Sequence, residues 1–487
     1  MFAHDSLKDM NLLDINLPNY FLADLPGEEH LTPAIITAAC ETLKHNREKF
    51  LAPRQTGEIV EILCAVAAEW RQPDNRFRQL ALKSAWSAGA PRELAEETAG
   101  FSRPVLEKGL DGFFRQFTPE NFQALLAQDL GDGTAVPGAA VRPPQPVVLG
   151  RHLWHGPQLL AHVAAGNLPN PALMSLALGL LTQSAQFMKC ASGASLLPRL
   201  FAHSIYAADP KLGACLELAE WRGGNHPLES ALFAGADCVT ATGGEAMLAD
   251  LRARVPGHVR LIEYGQRASF GLVTREALKN EGAAELVARV ADDVVAWDQN
   301  GCLSPHVIYV EERGEVESDQ FAGRLAAELR QREAAEPRGK ISVAEAADIA
   351  SRRSIYETLA AHRGDVKLWQ SRDNTAWTVV FEHDVRFRFS PLNRFVYVKP
   401  VPDLAAVLTG VDELKGRVST VGVAAVGPRL REVAAQLARW GVPRICACGQ
   451  MQNPPLTWRH DGRPALGDLV TWTDFEAASQ MDPNPGE

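Results

Sequence analysis

From residue 147 to residue 445 the chain alternates between short apolar segments and segments whose apolar residues recur at helical spacing. The short segments with the composition of β-strands are residues 159–163, 185–189, 215–220, 237–241 and 259–263. Segments with helical periodicity lie between them, for example residues 171–183 and 196–208. Strands that alternate with helices in this way predict a parallel sheet with helices on both faces.

The alternation continues less regularly after residue 265, which predicts a second α/β domain. Residues 1–135 show helical periodicity, and a Gly- and Pro-rich connector follows them. We therefore expect four parts, namely a helical N-terminal region (1–135), a first sheet domain (136–265), a second sheet domain (266–445) and a C-terminal segment (446–487). Short strands on either side of Gly150 also predict a β-hairpin near residues 147–160.

The composition narrows the class of protein. A net charge of −10 gives no indication of a nucleic-acid-binding surface. The N-terminus lacks the features of a signal peptide, and the longest apolar run, residues 171–181, is too short for a membrane span. The eight cysteines have neither the spacing of a disulfide framework nor that of a zinc site. We therefore expect reduced thiols, no bound metal and a cytoplasmic protein.

One cysteine stands apart because of its surroundings, the segment Trp297-Asp-Gln-Asn-Gly-Cys302-Leu-Ser-Pro305. Asn-Gly and Ser-Pro mark irregular backbone, which places Cys302 on a loop or at a helix start. Backbone amides at a helix start would lower the pKa of its thiol and make it a nucleophile. The alternative is a buried apolar residue, which is the commoner role of a free cysteine.

Two polar residues follow predicted strands of the first sheet. Asn167 would present its side-chain amide at the carboxyl end of the sheet, where open α/β folds bind ligands. There it can donate to an oxyanion, or it can cap the helix that follows. Lys189 ends the next strand, where it can contact a nucleotide or lie on the surface.

Two further segments follow later strands. Thr242-Gly-Gly-Glu245 lies between a strand and a helix, where glycines allow a phosphate to approach the helix amides, although a simple tight turn would have the same composition. Glu263 ends the next strand and is a candidate general acid or base, or a surface carboxylate. The usual dinucleotide fingerprint G-x-G-x-x-G is absent from the chain.

Taken in order, these elements resemble the motifs of the aldehyde dehydrogenase superfamily. The segments that carry the resemblance are Asn167-Leu-Pro169, Lys189, Thr242-Gly-Gly-Glu245, Glu263-Tyr-Gly265 and Gln299-Asn-Gly-Cys302. The resemblance implies two Rossmann-type parallel-sheet domains, the first for a nucleotide cofactor and the second for the catalytic thiol, with the hairpin serving oligomerisation. It also implies Cys302 as the nucleophile, Asn167 as an oxyanion donor and Glu263 as the acid/base.

Two segments resemble one branch more closely, the long-chain acyl-CoA reductase family, which includes the reductase subunit of the bacterial bioluminescence fatty acid reductase. They are Gln299 to Pro305 and Phe389-Ser-Pro-Leu-Asn-Arg394, and residues 441–470 also look like that family. This resemblance implies reduction of an acyl-CoA or acyl-protein thioester to an aldehyde through an acyl-cysteine. It further implies a homo-oligomer and a partner protein that activates or transfers the acyl group. We expect Trp458 and His460 to be structural or interfacial.

Departures from the superfamily bear on the cofactor. Ser192 replaces the glutamate that would bind the adenosine ribose, and a hydroxyl can donate to a 2′-phosphate that a carboxylate would repel. We therefore expect NADPH, with NADH as the alternative. The segment Ser390 to Asn393 lacks the superfamily's glutamate for the nicotinamide ribose, which suits a cofactor that exchanges after acylation. The expected cofactor-binding residues are Lys189, Ser192, Thr242, Gly243, Gly244 and Gly265.

Two other functions use the same residues. One is an NAD(P)-dependent aldehyde dehydrogenase working oxidatively, in which Glu263 would activate the hydrolytic water. The other is an acyltransferase or thioesterase whose cofactor site is vestigial. Analysis of the products separates these from a reductase.

Overall fold

The structure, a computed structural model, describes residues 17–25, 27, 30–85, 100–131 and 152–474 of the chain. The α-helices of its N-terminal part are α1 (Pro33–Asn46), α2 (Thr56–Trp70), α3 (Arg76–Lys83), α4 (Arg103–Arg115) and α5 (Pro119–Leu130). The side chains of Thr32, Asn75 and Thr118 accept backbone N–H groups at the starts of α1, α3 and α5, which satisfies donors that a helix start leaves open. The apolar faces of these helices join one core with the first sheet.

The first sheet is parallel throughout and has five strands. They are β2 (Leu159–Val163), β3 (Ala185–Cys190), β4 (Leu216–Glu220), β5 (Cys238–Thr242) and β6 (Arg260–Tyr264). The helices between and after them are α6 (Asn170–Leu181), α7 (Leu196–Ala208), α8 (Pro210–Gly213), α9 (His226–Gly235) and α10 (Glu245–Arg254). The spatial order is β4-β3-β2-β5-β6, so the direction of strand addition reverses between β2 and β5. The alternation predicted from the sequence is confirmed.

The second sheet has seven strands in the order β13-β12-β7-β8-β11-β10-β9, with only β9 antiparallel to its neighbour. Its strands are β7 (Ala268–Val273), β8 (Pro305–Glu311), β9 (Val366–Gln370), β10 (Thr378–Glu382), β11 (Phe395–Val401), β12 (Val418–Ala424) and β13 (Ile445–Ala447). Its helices are α11 (Ala283–Val295), α12 (Ser318–Ala335), α13 (Val343–His362), α14 (Leu404–Gly410) and α15 (Gly427–Trp440). Three residues, 265–267, connect β6 to β7 and so join the two sheets.

The first strand of the hairpin expected near residues 147–160 lies outside the described residues, so the hairpin stays a prediction. Strand β1 (His152–His155) pairs antiparallel with β14 (Thr471–Asp474), and β2 lies inside the five-stranded sheet. Gly156 and Pro157 lie between β1 and β2. A Cβ on Gly156 would lie 2.0 Å from the Thr182 carbonyl oxygen. Glycine at this position therefore lets the chain pass close to the Thr182 carbonyl before β2 begins. Residues 147–151 of the expected hairpin lie outside the described residues.

No α-helix in the described ranges is both long enough and apolar enough to cross a membrane.

A buried histidine joins the three central strands of the first sheet. His162 on β2 contacts the Thr240 hydroxyl on β5 at 2.6 Å through Nδ1 and the Gln186 side-chain oxygen on β3 at 2.9 Å through Nε2. Gln186 in turn donates to the Leu176 carbonyl on α6 at 2.9 Å. Burial lowers the pKa of His162 from 6.5 to about 4, so the folded protein keeps this ring neutral at neutral pH.

Acidification should therefore destabilise the protein through His162. Below about pH 6.5 this histidine is protonated in the unfolded chain but not in the folded chain. The contribution of His162 to the free energy of unfolding therefore falls by about 1.4 kcal/mol for each pH unit, until the pH reaches the folded pKa. Urea unfolding at pH 7 and pH 5 should show a smaller loss in His162→Asn than in the wild type. The exposed His45→Gln is the matched control and should keep the wild-type loss. Equal losses in all three proteins would contradict the assignment.

Candidate active site

The thiol and the proposed oxyanion donor come from opposite edges of the two sheets. Cys302 lies on an exposed loop just before β8, at the amino edge of the seven-stranded sheet. Asn167 follows β2, at the carboxyl edge of the five-stranded sheet. The Asn167 Nδ2 atom donates to the Asn300 carbonyl oxygen at 2.8 Å, so these two edges meet at the cysteine loop. The second Nδ2 hydrogen of Asn167 is available to a ligand in the same place.

At position 301 the cysteine loop packs so closely against its neighbours that only glycine fits. A Cβ on Gly301 would lie 2.5 Å from Gln452 Nε2 and 2.9 Å from Leu168 Cδ1. Gln452 also hydrogen-bonds Ser304 on the far side of Cys302. Glycine at 301 therefore lets the loop lie between Leu168 of the first sheet domain and the C-terminal segment.

Two left-handed turns hold the start of this loop. Trp297, Asp298 and Gln299 have φ values of 51°, 51° and 66°, and the separate run Leu392, Asn393 and Arg394 has values of 59°, 55° and 65°. Such values are uncommon for residues other than glycine and persist where surrounding contacts determine them.

Side-chain hydrogen bonds and ion pairs join the two turns. The Gln299 amide donates to the Phe395 and Pro305 carbonyls at 2.8 Å each, and its oxygen accepts from Phe395 N at 2.8 Å. The buried Arg394 guanidinium donates to Asp298 at 2.9 Å and to Glu333 at 3.0 Å. The two segments that resembled the acyl-CoA reductase branch therefore form one structural unit.

A histidine adds a second connection within that unit. His306 Nδ1 accepts the Ser390 backbone N–H at 3.1 Å and contacts the Ser390 hydroxyl at 3.0 Å. Burial lowers the pKa of His306 to about 4, which suits a neutral ring that accepts through Nδ1. Ser390 thus hydrogen-bonds His306 at the start of β8, and these contacts give it a structural role.

The environment of the thiol corrects one expectation from the sequence. Cys302 precedes a strand, not a helix, so no helix-start amides lower its pKa. The protein around the sulfur instead desolvates the thiolate, and this, together with the nearby carboxylate of Asp461, raises the pKa of Cys302 to about 11. The Ser419 hydroxyl and the Arg267 guanidinium act in the opposite direction. The net effect of these groups favours the thiol over the thiolate.

Glu263 lies one residue before the end of β6, and its carboxylate pairs with Arg252. Arg252 Nε lies 2.7 Å from one Glu263 carboxylate oxygen, and Arg252 also binds Glu245 at 3.0 Å. The Glu263 backbone carbonyl accepts from Arg463 at 2.7 Å. The carboxylate of Asp461 also raises the pKa of Cys302, after desolvation, and the role expected for Glu263 stays a prediction.

A cleft lies along the carboxyl edge of the first sheet, at the position where ligands bind in open α/β folds. Its larger part, about 560 Å³, is lined by residues that include Gly166, Leu168, Gly193 and Ala194. A Cβ on Gly166 would lie 3.0 Å from the Ala191 Cβ, so glycine keeps the cleft open between two strand ends. A smaller part, about 230 Å³, lies where the strand order reverses between β2 and β5.

The predicted cofactor residues lie along this edge. Lys189 is buried at the end of β3, and Ser192 is exposed on the turn that follows. Thr242 ends β5, and the exposed Gly244 is the N-cap of α10, where no side chain satisfies the first amides. Gly243 N donates to the Tyr264 carbonyl at 3.1 Å, so its amide is committed to the protein. Gly265 packs against Leu248, with space for a Cβ 3.5 Å from that side chain.

These residues fit a dinucleotide. An uncapped start of a ten-residue helix attracts a phosphate, and the adjacent cleft is shaped by glycines and small side chains.

Two charged residues at the carboxyl end of β4 were not singled out from the sequence. Glu220 ends β4, and its carboxylate accepts the Gly193 amide at 2.7 Å. The exposed Arg222 follows two residues later. Their position at the end of a predicted strand could have indicated them, because the carboxyl ends of parallel strands all lie at one edge of the sheet.

One trio of described residues, His226, Glu229 and Asp250, has side chains of the kinds that bind metals. Arg254 contacts Glu229 at 2.6 Å and Asp250 at 2.5 Å. Because this cation neutralises both carboxylates, the trio is an ion-pair cluster.

Comparison with known sequences supports one family. The sequence model of the acyl-CoA reductase (LuxC) family matches residues 51–472. A long-chain acyl-protein thioester reductase from Aliivibrio fischeri is 26% identical over 321 residues, which are 65% of this chain and 63% of the relative. The protein of the same name from Vibrio harveyi is 23% identical over 318 residues, again 65% and 63% of the two chains. The alignments thus span less than two thirds of these relatives' own length.

Comparison with solved structures shows the aldehyde dehydrogenase fold. An NAD-dependent benzaldehyde dehydrogenase from Corynebacterium glutamicum has a TM-score of 0.63 at 14% identity, over 91% of this chain and 90% of that chain. The glyceraldehyde-3-phosphate dehydrogenase GapN from Methanocaldococcus jannaschii, complexed with NADP, has a TM-score of 0.60 at 12% identity, over 91% and 94%. The fold class predicted from the sequence is confirmed.

Removal of Arg394 should test the unit that holds the cysteine loop. Arg394→Gln leaves the buried Asp298 carboxylate without its cation, and we expect a loss of about 3–5 kcal/mol in the free energy of unfolding, measured in urea. Arg386→Gln removes an exposed arginine that also pairs with an aspartate, and it should leave stability unchanged. Similar losses in the two variants would show that the Arg394 network has no special structural role.

Proposed function

The chain belongs to the acyl-CoA reductase (LuxC) family, and we propose that it reduces an acyl thioester to the aldehyde through an acyl group held on Cys302. The observation that carries the proposal is the hydrogen bond of 2.8 Å from the Asn167 side chain to the backbone of the cysteine loop. It brings an amide donor, an exposed thiol and the edge of a nucleotide-type cleft to one place.

In the first half-reaction the Cys302 sulfur attacks the thioester carbonyl carbon. The Asn167 side-chain amide and the Cys302 backbone N–H stabilise the oxyanion, and in well-studied enzymes one such donor is worth roughly 3–4 kcal/mol. The carbonyl re-forms as the carbon–sulfur bond to the donor breaks. The Cys302 proton leaves with the donor thiol, so the products are an acyl-cysteine and a free thiol.

In the second half-reaction a reduced nicotinamide cofactor bound in the cleft would supply a hydride to the acyl carbon. The bond between that carbon and the Cys302 sulfur then breaks, the aldehyde leaves, and one proton from solvent restores the Cys302 thiol. Asn167 serves again, because negative charge develops on the same oxygen.

The pairing of Glu263 with Arg252 favours reduction over hydrolysis of the acyl-cysteine. An oxidative aldehyde dehydrogenase must activate a water against this intermediate, and the Glu263 carboxylate instead lies 2.7 Å from the Arg252 guanidinium. We assign Glu263 to proton exchange at the leaving group or to the support of β6. The oxidative enzyme and the thioesterase are therefore the less favoured functions.

We propose NADPH as the cofactor, with NADH as the alternative. Lys189 and Ser192 lie at the end of β3, where the adenosine ribose would bind, and the Ser192 hydroxyl can donate to a 2′-phosphate. Arg222 adds a positive charge at the end of the neighbouring strand, while Glu220 accepts the Gly193 amide. The start of α10 at Thr242, Gly243 and Gly244 would face the pyrophosphate.

We propose that the acyl donor is either an acyl-CoA or an acylated partner protein. The relatives named above are acyl-protein thioester reductases, which favours a partner that presents the acyl group on its own thiol. Homo-oligomer formation would use the two-stranded sheet of β1 and β14, which carries the exposed Trp472. All eight cysteines are free thiols, which agrees with a cytoplasmic location.

Intact-mass measurement after incubation with acyl-CoA and no cofactor tests the nucleophile. We expect one acyl adduct on the wild type, located at Cys302 by peptide mapping, and none on Cys302→Ala. Cys446→Ala removes a partly buried thiol from the second sheet and is the matched control, which should keep the adduct. Labelling that persists in Cys302→Ala would overturn the assignment.

Exchange of one side chain tests the cofactor. Ser192→Glu would place a carboxylate against the 2′-phosphate, so we expect the KM for NADPH to rise at least tenfold and the KM for NADH to change little. Ser351→Glu adds the same charge on an exposed face of α13 and should leave both values unchanged. An unaltered KM for NADPH in Ser192→Glu would remove Ser192 from the phosphate site.

A further inference from the structure

The larger part of the cleft at the carboxyl edge of the first sheet, about 560 Å³, is an apolar cavity. Among the described residues that line it, none carries a charged group or a side-chain hydroxyl, amide or imidazole. Its largest side chains are those of Phe101, Leu168, Leu196 and Leu197, and the other lining residues are alanine, glycine, proline and one cysteine. Such a lining suits a hydrocarbon group, because a phosphate or a sugar would find no polar side chain there to replace its contacts with water.

The apolar cavity begins beside the segment that carries the thiol. The Cδ1 atom of Leu168, which lines the cavity, would lie 2.9 Å from a Cβ on Gly301, and Gly301 directly precedes Cys302. A second lining residue, Phe101, packs its ring edge-on against Trp297, with 5.1 Å between the ring centres. Trp297 is the first residue of the left-handed turn that leads into the cysteine loop. Two lining residues therefore contact the chain on the amino side of the thiol.

The apolar cavity and the start of α10 lie on opposite faces of the first sheet. Cys190, which lines the cavity, is on the same face of β3 as Gln186, whose side chain donates to the Leu176 carbonyl on α6. Lys189 is the neighbour of Cys190 on this strand and therefore points to the other face. Strand addition reverses between β2 and β5, so right-handed crossovers place α10 on that other face as well. The sheet thus separates the cavity from two of the elements proposed to bind the cofactor.

We propose that the apolar cavity binds the hydrocarbon chain of the acyl group, so that the chain and the cofactor reach Cys302 from opposite faces of the first sheet. This inference rests on the proposed function and deepens it, because it assigns the substrate to the fatty acyl thioesters. Each methylene group that leaves water for the cavity should strengthen binding by up to about fourfold. Acyl groups with a charged or hydroxylated chain are disfavoured, since no side chain of the lining can hydrogen-bond them.

The rate of Cys302 acylation by acyl-CoA of different chain lengths tests this proposal, read as the adduct mass without cofactor. Ala194 lines the cavity and is half-buried in the turn between β3 and α7, so Ala194→Phe should fill part of the space. At low substrate concentration we expect the rate with dodecanoyl-CoA to fall at least about tenfold and the rate with butanoyl-CoA to stay within about twofold. Leu196→Asn, which places an amide in the lining, should show the same dependence on chain length. An unchanged rate with butanoyl-CoA shows that each variant is folded.

Ala425→Phe is the matched control, because Ala425 is also half-buried in a turn between a strand and a helix, β12 and α15. This turn lies at the carboxyl edge of the second sheet, away from the cysteine loop, so the variant should keep both wild-type rates.

An undiminished rate with dodecanoyl-CoA in Ala194→Phe would overturn the proposal, as would equal losses with both chain lengths in Ala194→Phe and Leu196→Asn. A higher Kd for NADPH in Ala194→Phe, measured by calorimetry and found in place of the chain-dependent loss, would assign the cavity to the cofactor. A wild-type protein that forms no acyl adduct with either substrate would instead overturn the proposed function, and this inference with it.

Discussion

The Asp298–Arg394 ion pair, together with the Gln299 amide, is the interaction on which the site depends. Both charges are nearly fully buried, at 3% and 1% side-chain exposure, and they join two left-handed turns that neither sequence segment would favour alone. Residues 297–299 lead directly into the cysteine loop, so the position of the thiol follows from this unit. A buried ion pair of this kind fixes the positions of the groups that it joins more reliably than it raises the free energy of unfolding.

That unit places the thiol at the amino edge of one parallel sheet, facing the carboxyl edge of the other. The carboxyl edge provides strand-end side chains and an uncapped helix start, which suit a nucleotide. The Asn167–Asn300 hydrogen bond joins the two edges. The C-terminal segment then packs across the connection between the sheets, where Asp461 pairs with Arg267.

The first sheet could be predicted because short segments rich in apolar residues alternate there with segments of helical period. Strand β7 and helix α13 could not, since β7 contains Ser269 and Gly271 and α13 buries only Ile349, Arg353 and Tyr356. Cys302 and Asn167 were identified because their local motifs are informative. The ion pair between Asp461 and Arg267 was not, because the two residues lie 194 positions apart in the sequence. Long-range electrostatics of this kind leave no local pattern.

The fate of an isolated acyl-enzyme tests the central claim most directly. The protein would be acylated with acyl-CoA without cofactor, freed of excess reagent, and then mixed with NADPH, and aldehyde and free acid would be quantified per acyl-cysteine. Reductive discharge predicts about one aldehyde for each acyl group consumed and a restored Cys302 thiol. Release as free acid, or an acyl group that NADPH leaves in place, would contradict the account.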